Sequence, residues 1–581
     1  MKKWILLLFL AAQVQAQKSI TDEILNGANG SRVEVRSVFD PMPPSGYAPL
    51  RIVATNGSDR DLVWSFNFNS QTQEYNRNNT SSSSLDVPVG KRSTQSALFL
   101  MPLAVDYGNS SGYRNNGHTM TGRLSGPFDH AFSNYDSRAA GMPAIAISKS
   151  LANGNLDKLE DAVEEKHKSG GSYYGGSKVF GSRFAPLDLP EDWLGLSGFD
   201  YFMLTDADWQ LLKPGSRNAL LQWVRLGGRL HFYTKAEKPE GLPANQDAYS
   251  LGQIETIKWN GQFLPSRDTL SRYWKGPERV DNLLVEHAGR GDWPLLKALG
   301  DRSFNSWQVV VFLVLFGILV GPVNLFVLAP SGRRHRLFVT TPLLSLGASV
   351  LMVGIILFQD GIGGLGARYV FINLEPEEAT AYVTQKQVSR TGVLFGAGFD
   401  SKQAALIEPL ALPDTDWVKL KDSSDAQPVN LTLKGASHSG NYFQSRAEQA
   451  QMIRMAISTR ARLEVQPGAT PDAAPILVSA LGFTVDEMFY ADAQGSLWML
   501  KAPLATGQKA ELIKTESKTL KEWWNKHKAG SKMKGLDHLM THPEDHFFAT
   551  AARAPDFTLD TLSSIRWQKD EILIYGSITP P

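Results

Sequence analysis

Two long apolar segments joined by a short basic turn lie between residues 307 and 359 and constrain this chain more than any other feature. They read VVVFLVLFGILVGPVNLFVL and FVTTPLLSLGASVLMVGIILF, and neither contains Asp, Glu, Lys or Arg. A helix of about 20 residues is about 30 Å long, which matches the hydrocarbon core of a bilayer. A hairpin buried in a soluble protein is the less favoured alternative, because core helices of this length usually carry a charged face. We therefore predict transmembrane helices at 307–329 and 337–359.

The turn at 330–336 predicts how this hairpin is oriented. It places Arg333, Arg334 and Arg336 in a very short connection. Short loops rich in arginine and lysine remain in the cytoplasm. Both flanks of the hairpin are therefore predicted to lie on the opposite side of the membrane.

The first 16 residues independently indicate export. Lys2 and Lys3 precede the apolar run WILLLFLAA, and Ala16 closes the small-residue pattern VQA. This arrangement is typical of a signal peptide, here predicted at 1–16 with cleavage after Ala16. A signal peptide sends the first half out of the cytoplasm, which is the side that the basic turn predicts for both halves.

The charge balance and the absence of cysteine exclude several classes of protein. The 581 residues include 59 Lys and Arg against 58 Asp and Glu, and a net charge of +1 gives no basic excess for nucleic-acid binding. The chain has no cysteine, which excludes disulfides, thiol catalysis and cysteine-ligated metals. Small exported eukaryotic domains usually need disulfides. We therefore predict a two-pass protein of the bacterial inner membrane, with both large domains periplasmic.

Residues 17–135 are predicted to form a β-sandwich. Alternating segments such as RVEVRSVF, LRIVATNGS and LVWSFNFNS are separated by turn-forming residues, as in sandwiches of short strands. In the third segment, Trp64, Phe66 and Phe68 share one face. The stretch YAPLRIVATNGSDRDLVW resembles an immunoglobulin-like module, which implies a spacer or adhesive role.

Residues 136–300 change to alternating strands and helices. The segments typical of strands are AIAISK, FDYFMLTD and RLHFYT. The segments typical of helices are LDKLEDAVEEKHK and GSRNALLQWVRL. The second helix is followed by Gly227 and Gly228, a common way for a helix to end. The β-α-β order predicts a parallel sheet.

A resemblance follows from the stretch LSGFDYFMLTDADWQLLKPGSRNALLQWVRLGGRLHFYT. Together with its flanks, over 143–234, it resembles the class I glutamine-amidotransferase-like fold. Members of that superfamily use a cysteine nucleophile with a histidine. Because this chain has no cysteine, the resemblance implies a degenerate, non-catalytic α/β domain.

Residues 361–581 are predicted to form a periplasmic, β-rich, sandwich-like domain. Runs such as YVFINLE, TAYVTQKQ and EILIYGSI are typical of strands, while RAEQAQMIRMAIS and the region of LKEWWNKHK predict helices. Within the first span, Asn324 follows Pro322 and is predicted to hydrogen-bond to the second helix as packing glue.

The order of these parts carries a second resemblance. The run LVGPVNLFVL, the basic turn, the second span and the following ARYVFINLEPEEATAYVTQKQ resemble a group of bacterial inner-membrane envelope proteins. That group combines an exported β-sandwich, a degenerate amidotransferase-like domain and a GPVN-type transmembrane hairpin. The resemblance implies a location and an architecture, and it implies no particular activity.

Two clusters are candidates for chemistry. DHLMTHPEDHF places His538, His542 and His546 four residues apart, which on one helix would bring three imidazoles to one face as in zinc sites. Pro543 would disturb such a helix, so a solvated helix and loop is the favoured interpretation.

Asp206 and Asp208 follow a predicted parallel strand, where α/β sites usually lie, and could bind a cation or act as acid and base. The favoured interpretation is that they cap a turn and begin the next segment, since no histidine or nucleophile lies nearby in sequence. The chain has no P-loop, GxSxG or GxGxxG motif, and no cofactor is predicted.

The resulting expectation is a multidomain membrane protein without enzymatic activity. Its partners would be the lipid bilayer and other inner-membrane or periplasmic proteins, for which it would serve as a scaffold or a ligand sensor. An envelope hydrolase, metal-dependent through the histidines or acting through the aspartates, is one alternative. An accessory subunit of a membrane transport complex is another, and it would need partner spans because two helices cannot build a transport path.

Overall fold

A computed structural model describes most of the chain. The described residues are 18–74, 77–105, 116–138, 143–167, 181–236, 241–242, 249–261, 264–274, 293–300, 306–410, 412, 429–466, 474–531, 533–541 and 544–578. The predicted signal peptide at 1–16 lies outside the described residues.

The first part of the chain is a two-sheet sandwich. Its strands are β1 (Lys18–Asn26), β2 (Ser31–Ser37), β3 (Tyr47–Asn56), β4 (Leu62–Glu74), β5 (Arg77–Val89), β6 (Ser93–Pro102), β7 (Asn116–Ser125) and β8 (His130–Arg138). One sheet has the order β1-β2-β3-β6, and the other contains β5-β4-β7-β8. The predicted face of Trp64, Phe66 and Phe68 is buried between the sheets, because alternate residues of a strand point to the same side.

The α/β part follows directly. Its strands are β9 (Ile145–Ser148), β10 (Ser182–Phe184), β11 (Tyr201–Thr205), β12 (Arg229–Thr234) and β13 (Gln253–Lys258). Its helices are α1 (Lys149–Ala152), α2 (Leu156–His167), α3 (Asp206–Leu211), α4 (Pro214–Arg225), α5 (Arg267–Ser271) and α6 (Pro294–Ala298), with 3₁₀ turns at Pro186–Asp188 and Trp193–Leu196. All pairings in the sheet are parallel, so the predicted parallel sheet is confirmed.

Helix α4 shows how local sequence sets these elements. Pro214 occupies the first turn, where its missing N–H costs nothing. Gly227 ends the helix with φ of +110°, a conformation that favours glycine. Its buried face, which includes Leu220 and Trp223, packs on the sheet.

Two apolar helices form a hairpin after this part. They comprise α7 (Ser306–Ile318), a π-helical continuation (Leu319–Leu328), a 3₁₀ turn (Arg334–Arg336) and α8 (Leu337–Asp360). Val310–Leu328 and Arg334–Ile355 are long and apolar enough to cross a membrane, and only 6% and 0% of their most apolar windows are buried. They are therefore not core helices of the folded body.

The hairpin is joined by the hydrogen bonds that the sequence predicts. Asn324 is 1% exposed; its Nδ2 donates to Thr341 Oγ1 at 2.9 Å, and its Oδ1 accepts from Thr340 Oγ1 at 2.6 Å. Pro322 lies in the π-helical stretch, where the wider turn accommodates a residue that cannot donate an N–H.

The second half is dominated by one sheet of eleven strands. In sheet order these are β17 (Ala405–Leu410), β20 (Glu448–Ser458), β15 (Thr380–Thr391), β14 (Gly364–Glu375), β27 (Ile565–Ser577), β26 (His546–Ala551), β23 (Glu487–Ala491), β24 (Leu497–Leu500), β25 (Lys509–Thr515), β22 (Ile476–Ser479) and β21 (Leu463–Gln466). Helix α9 (Ser517–Ala529) and 3₁₀ turns at Pro376–Glu378, Asp537–Met540 and Pro555–Phe557 complete the half.

One helix predicted for this half is wrong and the other is confirmed. RAEQAQMIRMAIS contains strand β20, which pairs on both sides with β15 and β17. The helix formers in that segment are overridden by two neighbouring strands. LKEWWNKHK lies in α9, whose Trp523 and Trp524 are buried against the sheet.

The two halves of the chain share a sheet across the hairpin. Three strands of the second half join the sandwich: β16 (Phe399–Asp400), β18 (Asn430–Lys434) and β19 (Ser437–Gly440). They extend one sandwich sheet to the order β16-β19-β18-β5-β4-β7-β8. The joining pair is parallel, with Asn430 opposite Thr80 and Leu433 opposite Ser83. The predicted single domain at 361–581 therefore contributes strands to the first half.

A buried ionic network also joins the halves. The Arg225 guanidinium lies 2.7 Å from Glu375 Oε1 and 2.9 Å from Glu378 Oε1. It stacks on the ring of Tyr249 at 3.9 Å, and Tyr382 donates to Glu378 Oε2 at 2.5 Å. Helix α4 is thereby attached to the β14–β15 turn.

Candidate functional site

The order of the parallel sheet defines a crevice. The strands lie in the order β10-β9-β11-β12-β13, so the chain leaves β9 in one direction and returns to the other side of it at β11. In open α/β sheets, ligands bind at the carboxyl ends of the strands where the order reverses. The crevice therefore lies at the carboxyl edge of the sheet, between β9 and β11.

Asp208 lies at this edge, 2% exposed, and bridges the two strand ends. Its Oδ2 accepts hydrogen bonds from Ser148 Oγ at 2.6 Å, Thr205 N at 3.0 Å and Thr205 Oγ1 at 2.8 Å. Ser150 Oγ lies 2.7 Å from Oδ1 and 2.6 Å from Oδ2. Asp208 also closes a capping box with Thr205 at the start of α3.

Asp206 is the more accessible of the two predicted carboxylates. It is the first residue of α3, and its Oδ1 accepts from the backbone N–H of Ala207 at 2.8 Å. Its Oδ2 accepts from Thr234 Oγ1, at the end of β12, at 3.2 Å. The two carboxylates therefore have different roles: Asp208 is held by internal donors, and Asp206 faces partly to solvent.

The structure adds hydroxyl residues that the sequence interpretation missed. Ser148 and Thr234 lie at the ends of the predicted strands AIAISK and RLHFYT, and Ser150 follows the first of them, so their position at strand ends was the available signal. Together with Asp206 and Asp208 they form an edge of hydroxyls and carboxylates. Such an edge can hydrogen-bond a polar ligand, and the hydrogen bonds described there include no imidazole that could activate a hydroxyl.

His231 lies inside the sheet and away from the edge. His231 is 1% exposed in β12, with the rings of Tyr201 and Trp274 at 5.1 and 4.8 Å. Burial, reinforced by the charge of Arg229, lowers the pKa of His231 to about 3. Arg229 donates to the Tyr201 hydroxyl at 2.7 Å, so these groups are part of the packed core.

The predicted histidine cluster is not assembled on a helix. His538 lies in the 3₁₀ turn Asp537–Met540, His546 begins β26, and His542 lies outside the described residues. The single helix that three imidazoles on one face would need is not formed, because His538 lies in a 3₁₀ turn and His546 in a strand. Burial lowers the pKa of both His538 and His546, and His546 stacks on Tyr575 at 5.0 Å. In the part of the chain that is described, no group of three or more His, Asp or Glu could hold a metal ion.

No family model and no curated protein matches this chain. Solved structures with some similarity include Spo0M, the sporulation control protein from Bacillus subtilis, at 10% identity and a TM-score of 0.14, covering 23% of this chain and 55% of that protein. The chain thus spans about half of Spo0M. The yeast delta-COP-I mu-homology domain is 8% identical with a TM-score of 0.18, covering 37% of this chain and 96% of that domain.

A cycloisomaltooligosaccharide glucanotransferase from Paenibacillus sp. is 10% identical with a TM-score of 0.14, covering 37% of this chain and 41% of the enzyme. TM-scores this low do not establish a shared fold.

The roles of the two aspartates give a first prediction. Asp208→Ala removes the acceptor for the buried hydroxyls of Ser148 and Thr205, so we expect a loss of at least about 2 kcal/mol in the free energy of unfolding. Asp206→Ala, at a partly exposed helix start, should cost less than about 1 kcal/mol. Urea unfolding of the detergent-solubilised variants measures both. A stable Asp208→Ala protein that has lost a ligand would instead assign Asp208 to a binding or catalytic site.

A second prediction concerns His231. Its pKa is depressed in the folded protein, so below its unfolded pKa of about 6.5 only the unfolded chain takes up the proton. The stability that the neutral ring provides is present above that pH and is lost as the pH falls towards 3. His231→Phe and His231→Gln should therefore reduce the slope of stability against pH between about 6.5 and 3, by up to about 1.4 kcal/mol per pH unit. Unchanged slopes in both variants would contradict a buried neutral histidine.

Proposed function

We propose that this chain is a non-enzymatic envelope protein, anchored in the bacterial inner membrane by its two-helix hairpin. Both flanking halves lie on the periplasmic side and form one body. That body serves as a scaffold or ligand sensor for other membrane or periplasmic proteins. The α/β part is a degenerate amidotransferase-like domain whose crevice is a docking or small-molecule site.

The pairing of β5 with β18 carries this proposal. Strands that exchange backbone hydrogen bonds must lie in the same compartment, and these two strands come from opposite sides of the hairpin. Thr80 N donates to Val429 O at 2.7 Å, and Thr80 Oγ1 donates to Asn430 Oδ1 at 2.8 Å. A chain that enters and leaves the membrane on the same side needs an even number of spans, which agrees with a hairpin of two.

The basic turn supports the choice of side. Arg333, Arg334 and Arg336 lie at the end of the hairpin remote from the body, in the connection between the helices. By the positive-inside rule this end is cytoplasmic, so the body is periplasmic. The exposed apolar surface of the helices, with Leu315, Phe326 and Leu346 at 55%, 73% and 65%, suits contact with lipid.

The edge of the parallel sheet supports a non-enzymatic role. A catalytic acid or base must reach the substrate, and Asp208 is instead held by Ser148, Ser150 and Thr205. The superfamily nucleophile is a cysteine, and this chain has none.

The orientation is tested with single cysteines, since the chain contains no native cysteine. Ser331→Cys lies in the basic turn and Ser437→Cys is exposed on β19. In spheroplasts, an externally added impermeant maleimide should label Cys at 437 and not at 331, and permeabilisation should make 331 reactive. Labelling at 331 without labelling at 437 would reverse the topology.

The scaffold role is tested by cross-linking the protein at its native level in membranes and identifying the products by mass spectrometry. We expect a small, reproducible set of membrane or periplasmic partners. Thr432→Pro in β18 disturbs the shared sheet, so this variant should give a lower yield of those products. A chain that is linked only to itself would contradict the scaffold.

A further inference from the structure

Both ends of the hairpin are attached to the same end of strand β15. Before the hairpin, Arg390 donates from Nη1 to Leu299 O at 3.1 Å and from Nη2 to Gly300 O at 2.9 Å. Arg390 is itself held by Glu448 at 2.6 Å, and the side chains of this pair are only 17% and 4% exposed. Residues 299 and 300, which precede α7 in the chain, are therefore held to the body by a buried ion pair.

The exit from the second helix is fixed a few residues away. Helix α8 ends at Asp360, and the next residues pair with the segment that follows β15. Gly392 N donates to Gly363 O at 2.7 Å, and Val393 N donates to Gly361 O at 3.0 Å. Ile362 and Val393 form a parallel bridge. The exit of the hairpin is therefore bonded directly to this part of the body.

The loop 392–398 lies next to this attachment and presents an unusual side chain to solvent. Phe395 is 84% exposed, and Ile362 beside the loop is 66% exposed. The loop is positioned by hydrogen bonds: Leu394 N donates to Ser445 Oγ at 3.0 Å, and Arg446 N donates to Gly392 O at 2.8 Å. Phe395 and Ile362 together form an exposed apolar tip next to the end of α8.

The level of Phe395 relative to the membrane follows from the attachment. If α8 spans the hydrocarbon core, its last turn enters the headgroup layer, which is about 6 Å thick on each side. Ile362 is two residues beyond the end of α8, so it lies at the depth of that layer. Phe395 is two residues beyond Val393, the partner of Ile362; because paired strands are about 4.8 Å apart and two residues of strand span about 7 Å, it lies within about 12 Å of Ile362. Trp307, 69% exposed at the start of the first span, belongs to the same side.

We propose that Phe395 and Ile362 insert into the outer interfacial layer of the bilayer and fix the body against the membrane surface. This inference rests on the proposed membrane anchoring. The occupant of the exposed apolar tip is lipid, because the tip is continuous with the span that precedes it. Aromatic side chains are favoured at this depth.

The experiment places an environment-sensitive NBD fluorophore on single cysteines in the full-length protein. The variants are Phe395→Cys and Ile362→Cys in the tip, Leu346→Cys in the second span, and Ser93→Cys at the start of β6 as an exposed control. Each protein is reconstituted into phosphatidylglycerol and phosphatidylethanolamine vesicles. Nitroxide lipids carry the quencher either near the headgroup or near the chain end.

We expect the labels at 395 and 362 to be quenched strongly by the shallow nitroxide and weakly by the deep one. The label at 346 should show the opposite order, and the label at 93 should resist both. Quenching at 346 with none at 395 and 362 would overturn the inserted tip and leave the anchor in place. An unquenched 346 would overturn the membrane anchor itself, and the inference with it.

Discussion

A parallel ladder of four residue pairs, between β5 and β18, determines how the whole chain is arranged. It joins segments some 350 residues apart, on either side of the hairpin. Asn79 strengthens the junction from within the sandwich: it is 1% exposed, its Oδ1 accepts from Val429 N at 3.0 Å and its Nδ2 donates to Val105 O at 2.9 Å. Backbone hydrogen bonds need both strands in one compartment. This ladder therefore requires the two ends of the hairpin to emerge on the same side of any membrane that it crosses.

Buried charge fixes the remaining contacts between the halves. Two arginines form buried ion pairs: Arg225 with Glu375 and Glu378, and Arg390 with Glu448. The desolvation cost of such pairs offsets much of their attraction. Such pairs give directional contacts that apolar packing alone does not provide. The Arg225 pairs join segments from opposite sides of the hairpin. Arg390 and Glu448 both follow the hairpin, and Arg390 reaches the segment before it through Leu299 O and Gly300 O. An apolar cluster also spans the two halves, and it includes Phe39, Trp223 and Leu406. Burial of these apolar side chains stabilises the contact between the halves.

The sequence predicted the structural features that depend on a local pattern of residues. The parallel sheet, the alternating face of Trp64, and the bond from Asn324 to the second helix all follow from periodicity or from the chemistry of one residue. Strand β20 could not be predicted, since its Ala, Gln and Met favour a helix until β15 and β17 flank them. The contact of Asp208 with Ser148 could not be predicted, because Ser148 lies 60 residues away; its position at a strand end indicated only that the two could share an edge.

Strand β15 connects the hairpin to the α/β part and gives the proposed sensing role a physical basis. Its Arg390 end holds the entry of the first helix, and the segment after it holds the exit of the second. Near its other end, Tyr382 donates to Glu378, which pairs with Arg225 of α4. Twelve residues of strand span about 40 Å, so β15 reaches from the attachment of the hairpin to the contact with α4. For the proposed sensor, these bonded contacts are the route by which a shift of α4 and a tilt of the hairpin would be coupled.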